Sequence, residues 1–396
     1  MADLIRGRWS KRYVNSWGDK RAYDDAQREH FAVRASYARR YVEEHGLPDI
    51  SDAEREEIRS FWGRYGFRVV DFSWWRMYYA VTGLHDPRFV PDDVMGLVVY
   101  AYYNDPAYAD AWRDKNEFER LLPGMPFPEA IGRCRRGRLV CGEKVFDRAS
   151  QAGEFCEAAF AALGGADHII VKDARHSGHG RGVRKYAVRS ASDILTVLGD
   201  WGGSDNFVMQ RCIRQHPVMA GLNQSSVNIY RVVTWRHGGD ADVLFAAVRY
   251  GAPGSVTDDS YDSDGNEETH ILAVTPDGRF AGLAIDQDGM PTGEIAAGEG
   301  AAPGYSEMCA LARRYALALD NFDLVGWDFA VDEDGSPVCL EYNIEWPGTV
   351  FYQFSNGPYA GERTEDMLAF LLDEDAQHNW IPWYMASWAS WADDEG

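Results

Sequence analysis

The chain has 396 residues, 45% hydrophobic, 13% aromatic and 26% charged, enough to bury the cores of two or more domains and too apolar for global disorder. Its formal charge of −22 repels polyanions, so nucleic acid is excluded as a partner unless a local basic patch overrides the field. The six cysteines (134, 141, 156, 212, 309 and 339) include no CxxC pair, which excludes a zinc ribbon and a dense disulfide scaffold and points to reduced thiols.

The opening MADLIRGRWSKRYVN lacks the apolar run of a signal peptide, and no segment reaches the roughly 18 uncharged apolar residues of a membrane span. A cytoplasmic location without membrane insertion is the expectation. From Ser10 to about Asp110 the pattern is helical, with pairs such as Tyr37 and Tyr41, or Phe61 and Tyr65, at four-residue spacing. The turn signals GLPD and HDPRFVPDD divide it into about four helices, with Ser51 as N-cap of DAEREEIRSFWGRYG. No strand is expected there, and its Trp and Tyr residues are expected to pack rather than stack on bases, because no basic groove accompanies them.

Beyond residue 110, β-type runs appear: HIIVK (168–172), NFVMQ (206–210), SVNIYRVVTWR (226–236), DVLFAAVRYG (242–251) and THILAVT (269–275). Helices are expected at SASDILTVLGDW (190–201) and SEMCALARRYALALD (306–320). The fold class is therefore α+β with mostly antiparallel strands, preceded by an all-helical N-terminal region. The tail HNWIPWYMASWASWADDEG repeats Trp at near-helical spacing without Lys or Arg, which fits a docked terminal helix rather than a membrane anchor.

The stretch VGWDFAVDEDGSPVCLEYN (325–343) reads as a hairpin turning at DEDGSP. Pairing outward, Val331 faces Val338, Phe329 faces Leu340 and Trp327 faces Tyr342, giving one apolar face. The other face holds Asp328 opposite Glu341, with Asn343 next along the strand. Two opposed carboxylates need a cation, and two acids plus an amide oxygen form a hard-oxygen set suited to Mg2+ or Mn2+. A half-exposed edge hairpin whose acids face water is the other reading of this pattern.

In HIIVKDARHSGHGRGVRKYAV a strand ends at Lys172 and a loop carries Gly178, Gly180 and Gly182 before a second strand. Alternating glycines let backbone N–H groups turn toward an anion, and the lysine adds a point charge. The order differs from a P-loop, and a flexible polar hairpin is the alternative. His176 and His179 lack a Cys or third His at ligand spacing, so zinc is not expected. No GxSxG elbow supports a serine nucleophile.

Five segments in order, DKNEFERLLPGMPFPEAIGR (114–133), VKDARHSGHGRGV (171–183), FVMQRCIRQHP (207–217), SSVNIYRVVT (225–234) and VGWDFAVDEDGSPVCLEYNIEWPG (325–348), resemble the ATP-grasp superfamily. The resemblance is to the sugar-transfer associated, alpha-L-glutamate ligase-related branch, over roughly 95–372. It implies two small α+β subdomains clasping ATP. Lys115 and Lys172 would contact its phosphates, the loop Ser177, Gly178, His179, Gly180, Arg181, Gly182 and Val183 would close over them, and Gln210 with the backbone of Cys212 and Ile213 would hold adenine. Asp328, Glu341 and Asn343 would bind two Mg2+ ions, Glu341 bridging. Gly326 stands where many members carry arginine, so Arg231 or Arg249 would supply the cation that steadies an acyl phosphate. A ribose-binding acid is absent, with Gln215 and His216 the nearest polar residues.

The implied domains are a helical region (1–110), a lead-in with the first phosphate lysine (111–165), a small subdomain with the glycine loop (166–213), a large subdomain with the metal site (214–372) and a Trp-rich tail (373–396). The implied activity is a carboxylate-amine ligase that forms an amide through an acyl phosphate, on amino acid or sugar-derived substrates in cell-surface or secondary-metabolite biosynthesis. The basic group Arg181, Arg184 and Lys185 either helps hold the acid or is solvated surface charge. Partners would be a small carboxylate and a small amine, with a homodimer left open. A phosphotransferase using the same nucleotide cradle, and a nucleotide-binding scaffold, are the alternatives.

Overall fold

The computed structural model describes residues 36–175, 182–255, 257–258, 268–296, 300–345, 347–372 and 389–391. They fall into two compact units, one drawn from Met1–Asp105, Asp288–Met290 and Gly348–Gly396, the other from Pro106–Gln287 and Pro291–Pro347.

The first unit is mainly helical, with helices Tyr37–Glu44, Asp52–Gly63 and Ser73–Thr82, then a π turn Met95–Val99 that runs into Tyr100–Tyr103. Ser51 caps the second helix as expected, in a reciprocal box: its Oγ accepts from Glu54 N at 3.3 Å, and Glu54 Oε2 accepts from Ser51 N at 2.6 Å. The hydrogen bonds from Ser51, together with the contact to His85, hold the Glu54 carboxyl down at about 2. A carboxyl depressed in the folded state adds stability that is complete above its ordinary value and is lost as the pH falls toward 2. Ser51→Ala should therefore cost about 1 kcal/mol at neutral pH. In thermal melts the gap to the parent should shrink as the pH falls below 4; a gap independent of pH would contradict the box.

Trp62, Trp74, Trp75 and Tyr78 are fully buried, and the indoles of Trp62 and Trp75 both donate to Pro87 O, at 2.9 and 3.2 Å. These aromatics build the core, as expected. Gln353 stitches the returning segment to it: its Oε1 accepts from Val90 N and Tyr359 N, and its Nε2 donates to Tyr78 OH and Val90 O. Residues 348–372 therefore pack with the N-terminal helices, and the boundary drawn at 372 moves to about 348. A strand, β1 (Phe67–Val69), interrupts the helices where none was expected and pairs antiparallel with Ala389–Trp391. Of the Trp-rich tail only those three residues are described, and they are extended rather than helical.

The second unit holds two antiparallel sheets. The first contains β2 (Ala130–Arg135), β3 (Arg138–Cys141), β4 (Lys144–Asp147), β5 (His168–Asp173), β6 (Val183–Ala187) and β7 (Asn206–Arg211), in the order β4-β3-β2-β7-β5-β6. Helices Ala152–Leu163 and Ala191–Asp200 bury one face: Phe155, Leu163, Ile194 and Val197 pack with Ile131, Ile169, Val171, Phe207 and Met209. By alternation Ile170, Lys172, Val208 and Gln210 share the opposite face. The supposed lead-in of 111–165 thus supplies three strands and a helix of this sheet, and a boundary at 165 would cut through it.

The second sheet contains β8 (Ile229–His237), β9 (Asp240–Tyr250), β10 (His270–Val274), β11 (Phe280–Ile285), β12 (Pro291–Ala296), β13 (Leu324–Val331) and β14 (Pro337–Asn343), in the order β12-β11-β10-β9-β8-β13-β14. Helix Tyr305–Ala316 buries Met308 and Ala312 against Tyr230, Val232, Val248, Leu272, Trp327 and Phe329. The other face carries the charged residues described next.

Candidate functional site

Three strands of the large sheet bring one row of charge together. The ladder sets Asp328 between Glu341 of β14 and Arg231 of β8, all on the face away from the core. Asp328 stands opposite Glu341 as the hairpin pattern predicts, and Trp327 stands opposite Tyr342. Nearer the turn the expected pairing is off by one: Val331 meets Pro337 and Phe329 meets Cys339, because a bulge at Leu340 interrupts the ladder. Leu340 and Glu341 therefore both turn from the packed face, and Cys339 takes the buried place beside Phe329.

The opposed acids do require cations, and the protein itself provides three. Arg231 Nε donates to Asp328 Oδ1 at 2.5 Å and its Nη2 to Oδ2 at 3.0 Å, a bidentate pair with side chains 6% and 5% exposed. Lys115 Nζ lies 3.1 Å from Glu341 Oε2, and Lys172 Nζ donates to Leu340 O at 3.4 Å. Burial, then the charge of Lys115, pulls the Lys172 ammonium down to about 8. Burial alone would raise the Glu341 carboxyl, but Lys115 and Lys172 outweigh it and hold that group below its ordinary value. Three cationic side chains against two carboxylates leave this face net positive, which favours an anionic ligand.

Each element brings its residue here for a local reason. Lys172 ends β5 on the face of the small sheet opposite its helices. Lys115 is tied to that strand end by its backbone N, which donates to Ala174 O at 2.9 Å. Position 326 is small because a Cβ there would stand 2.9 Å from Pro347 Cβ and 3.1 Å from Arg231 Cδ. The stem of Arg231 thus occupies the space in front of Gly326, and its Nη1 donates to Pro347 O.

A divalent cation would meet an all-oxygen set. Asn343 Nδ2 donates to Asp328 Oδ2 at 2.9 Å, which directs its own Oδ1 elsewhere. Among the described residues, Glu341 Oε1 and Asn343 Oδ1 accept no hydrogen bond, whereas both Asp328 oxygens do. This donor set fits Mg2+ or Mn2+, with Asp328 shared between the ion and Arg231. No group of three His, Cys, Asp or Glu side chains among the described residues could hold a metal, so the amide of Asn343 is needed to complete the set.

Other expected residues are placed as follows. His176, Ser177, Gly178, His179, Gly180 and Arg181 lie outside the described residues. Gly182 has φ of 76° and its carbonyl accepts from Asp173 N, while Val183 is already the first strand residue, opposite Lys172. Gln210 is buried on the Lys172 face, and its Nε2 donates to Pro128 O at 3.2 Å. Cys212 and Ile213 follow β7, half-buried. Gln215 and His216 are spent locally: Gln215 bonds Asn223 O, Ser226 O and Asn228 N, and His216 Nδ1 accepts from Val218 N. Arg184 lies over the Trp201 ring at 5.9 Å, so this member of the basic group near the loop packs at the end of helix Ala191–Asp200.

Arg249 of β9 is on the charged face too, since it stands across from Ile229 two positions along from Arg231. Its Nη2 lies 3.4 Å from Asp258 Oδ2. Asp258, in TDDSYDSDGN, escaped the sequence reading because it is one acid in an acidic run that follows β9.

A family model described as sugar-transfer associated ATP-grasp matches residues 99–273. Over those residues the chain is similar to the ATP-grasp family. The two antiparallel sheets of the second unit run on past that stretch, to β14. No curated protein matches the chain. Solved structures similar to it include the ATP-grasp ligase PsnB complexed with a minimal precursor, at 16% identity and TM-score 0.39, covering 68% of this chain and 64% of that one. D-alanyl-alanine synthetase A from Vibrio cholerae is similar at 12% identity and TM-score 0.41, covering 68% and 67%. D-alanine–D-alanine ligase from Bacillus anthracis is similar at 14% and 0.40, covering 69% and 71%. The chain thus spans less than two thirds of PsnB. Among the described residues no helix is long and apolar enough to cross a membrane.

Proposed function

We propose that the protein is an ATP-dependent ligase that joins a carboxylate to an amine, with an amino acid or sugar-derived substrate. The observation that carries this reading is the convergence of Lys115, Lys172 and Arg231 on the acid pair Asp328 and Glu341. Positive charge in excess, on a buried face with two acceptor oxygens to spare, suits a triphosphate accompanied by a divalent cation. The ion would supply charge neutralisation of the β- and γ-phosphates. Lys115 and Lys172 would bind the phosphate oxygens, and the nucleotide's charge would hold Lys172 protonated. Arg231 would fix Asp328, and Asn343 would be oriented by its bond to the same acid.

In this reading the γ-phosphoryl group passes to a substrate carboxylate oxygen as its bond to the β-phosphate oxygen breaks, releasing ADP. The amine nitrogen then forms a bond to the acyl carbon, the bond from that carbon to phosphate oxygen breaks, and the nitrogen loses a proton. Arg249, on the same face, would lie against the acyl phosphate. The branch's association with sugar transfer supports the sugar-derived substrate.

Calorimetry with ATP, with and without Mg2+, tests the nucleotide site. Glu341→Gln should weaken MgATP binding by about tenfold or more. Binding indifferent both to Mg2+ and to Glu341→Gln would refute the assignment. A screen of carboxylate and amine pairs should show ADP release that depends on both, with an amide product by mass. Accumulation of a stable phosphorylated product without amine would instead assign a phosphotransferase.

A further inference from the structure

Arg249 and Asp258 differ from the other buried ion pairs of the same sheet. Arg231 grips Asp328 with two nitrogens, and Arg236 holds Asp323 through Nε and Nη2, both at 2.8 Å. Each of those carboxylates accepts two bonds from one guanidinium. Asp258, with its side chain 21% exposed, meets Arg249 Nη2 alone among the described residues, at 3.4 Å. An ionised carboxylate can accept about four hydrogen bonds, so most of the capacity of this acid is unfilled although it is largely out of water. Burial pushes the carboxyl up, and Asp328 and Glu341 push it further, against Arg249 and Arg231. Among the described residues Arg249 is thus the single partner of an acid that is largely buried.

The segment that leads to Asp258 is hydrogen-bonded to a polar network. Asn223 Nδ2 donates to Gly251 O at 2.8 Å, to Ala252 O at 3.0 Å and to Ser255 Oγ at 3.3 Å. Ser225 Oγ accepts from Gly254 N at 2.8 Å, and Ser255 Oγ donates to Thr257 O at 3.0 Å. Asn223, Ser226 and Asn228 in this network are buried. The carboxylate thus follows a segment whose polar groups are satisfied by that network.

We infer that Asp258 receives the ammonium group of the amine substrate, with Arg249 beside it facing an acidic group of the same or the partner substrate. The amine substrate is then a primary amine, such as an amino acid or an amino sugar, that binds as its cation and gives one proton to Asp258 before its nitrogen attacks the acyl carbon, the second proton leaving after the bond has formed. This deepens the ligase reading and rests on it. An ammonium brings three donors to a carboxylate with acceptors to spare.

The test uses the full chain with Mg2+ and ADP, and saturation-transfer NMR with amino acids of both hands and glucosamine. At least one of these compounds should bind the parent, and Asp258→Asn should weaken it about tenfold or more. The deaminated acid of the same compound should bind both proteins alike, and Asp258→Glu should recover part of the loss. Melting temperatures of the variants show whether each is folded. Mn2+ affinity, measured by paramagnetic resonance, should be unchanged by Asp258→Asn; a parallel fall would make Asp258 a metal ligand and overturn the inference. It is equally overturned if no panel amine binds the parent or if Asp258→Asn binds them as well as the parent does. Amine binding lost in Asp258→Asn, in a protein that releases ADP with no acid and amine pair, would keep the amine contact and remove the ligase reading.

Discussion

Arg231→Met should destabilise the protein by about 3–5 kcal/mol, the cost of leaving a buried carboxylate without its cation. Asp328 is 3% exposed and takes three of its hydrogen bonds from two side chains, Arg231 and Asn343. Deleting the guanidinium leaves one amide donor for a full charge, and no water reaches the site cheaply. Asp328→Asn in the same background should recover most of the loss, because the orphan charge is gone. Denaturant unfolding of the four proteins of that cycle measures the coupling directly. Losses that simply add would show that the bidentate pair is not an energetic unit. Added Mg2+ should stabilise Arg231→Met more than the parent, since the ion takes the place of the missing charge.

Lys172→Met carries the second large effect, and it separates function from folding by sign. The buried ammonium is disfavoured by desolvation and by Lys115, so removing it should leave stability unchanged or higher. Affinity for MgATP should fall by about ten- to a hundredfold, the loss of one or two charge-assisted hydrogen bonds to phosphate. Calorimetric titration alongside denaturant unfolding provides both numbers from one preparation. Affinity within twofold of the parent would remove Lys172 from the phosphate site.

Strands rich in β-branched residues were readable as such: β5, β7, β8, β9 and β10 lie close to where the sequence places them. The unread strands are those whose side chains do not alternate cleanly. β2 reads AIGRCR and β3 RLVC because Arg133, with its guanidinium on Asn116 O and Glu119, sits on the sheet face away from the core. β11, FAGLAI, and β12, PTGEIA, mix Gly, Ala and Pro into their apolar residues, which blurs the alternation. β1 has its partner more than three hundred residues away, and nothing local marks it. Within the site, the acid pair was legible because opposed carboxylates are conspicuous in an apolar hairpin. Their cations were named through the family resemblance and not from any local pattern, since Arg231 reaches Asp328 across a ladder whose strand pairing no short stretch encodes. The same holds for Lys115, which lies outside any regular element and is brought in by one backbone bond to Ala174.

The bulge at Leu340 makes the position of the acids insensitive to the turn that joins them. Carried straight on, the register set beside the turn, Val331 with Pro337 and Phe329 with Cys339, would put Glu341 across from Trp327 on the packed face. The extra residue resets the count and returns Glu341 to Asp328. Deleting Leu340 would straighten the ladder and leave the two acids opposed, whereas deleting one residue more from the same strand would turn Glu341 into the core. The hairpin therefore carries a single residue of slack, spent immediately before the carboxylate whose placement matters most, and shortening of this strand by one residue can be absorbed without moving the chemistry.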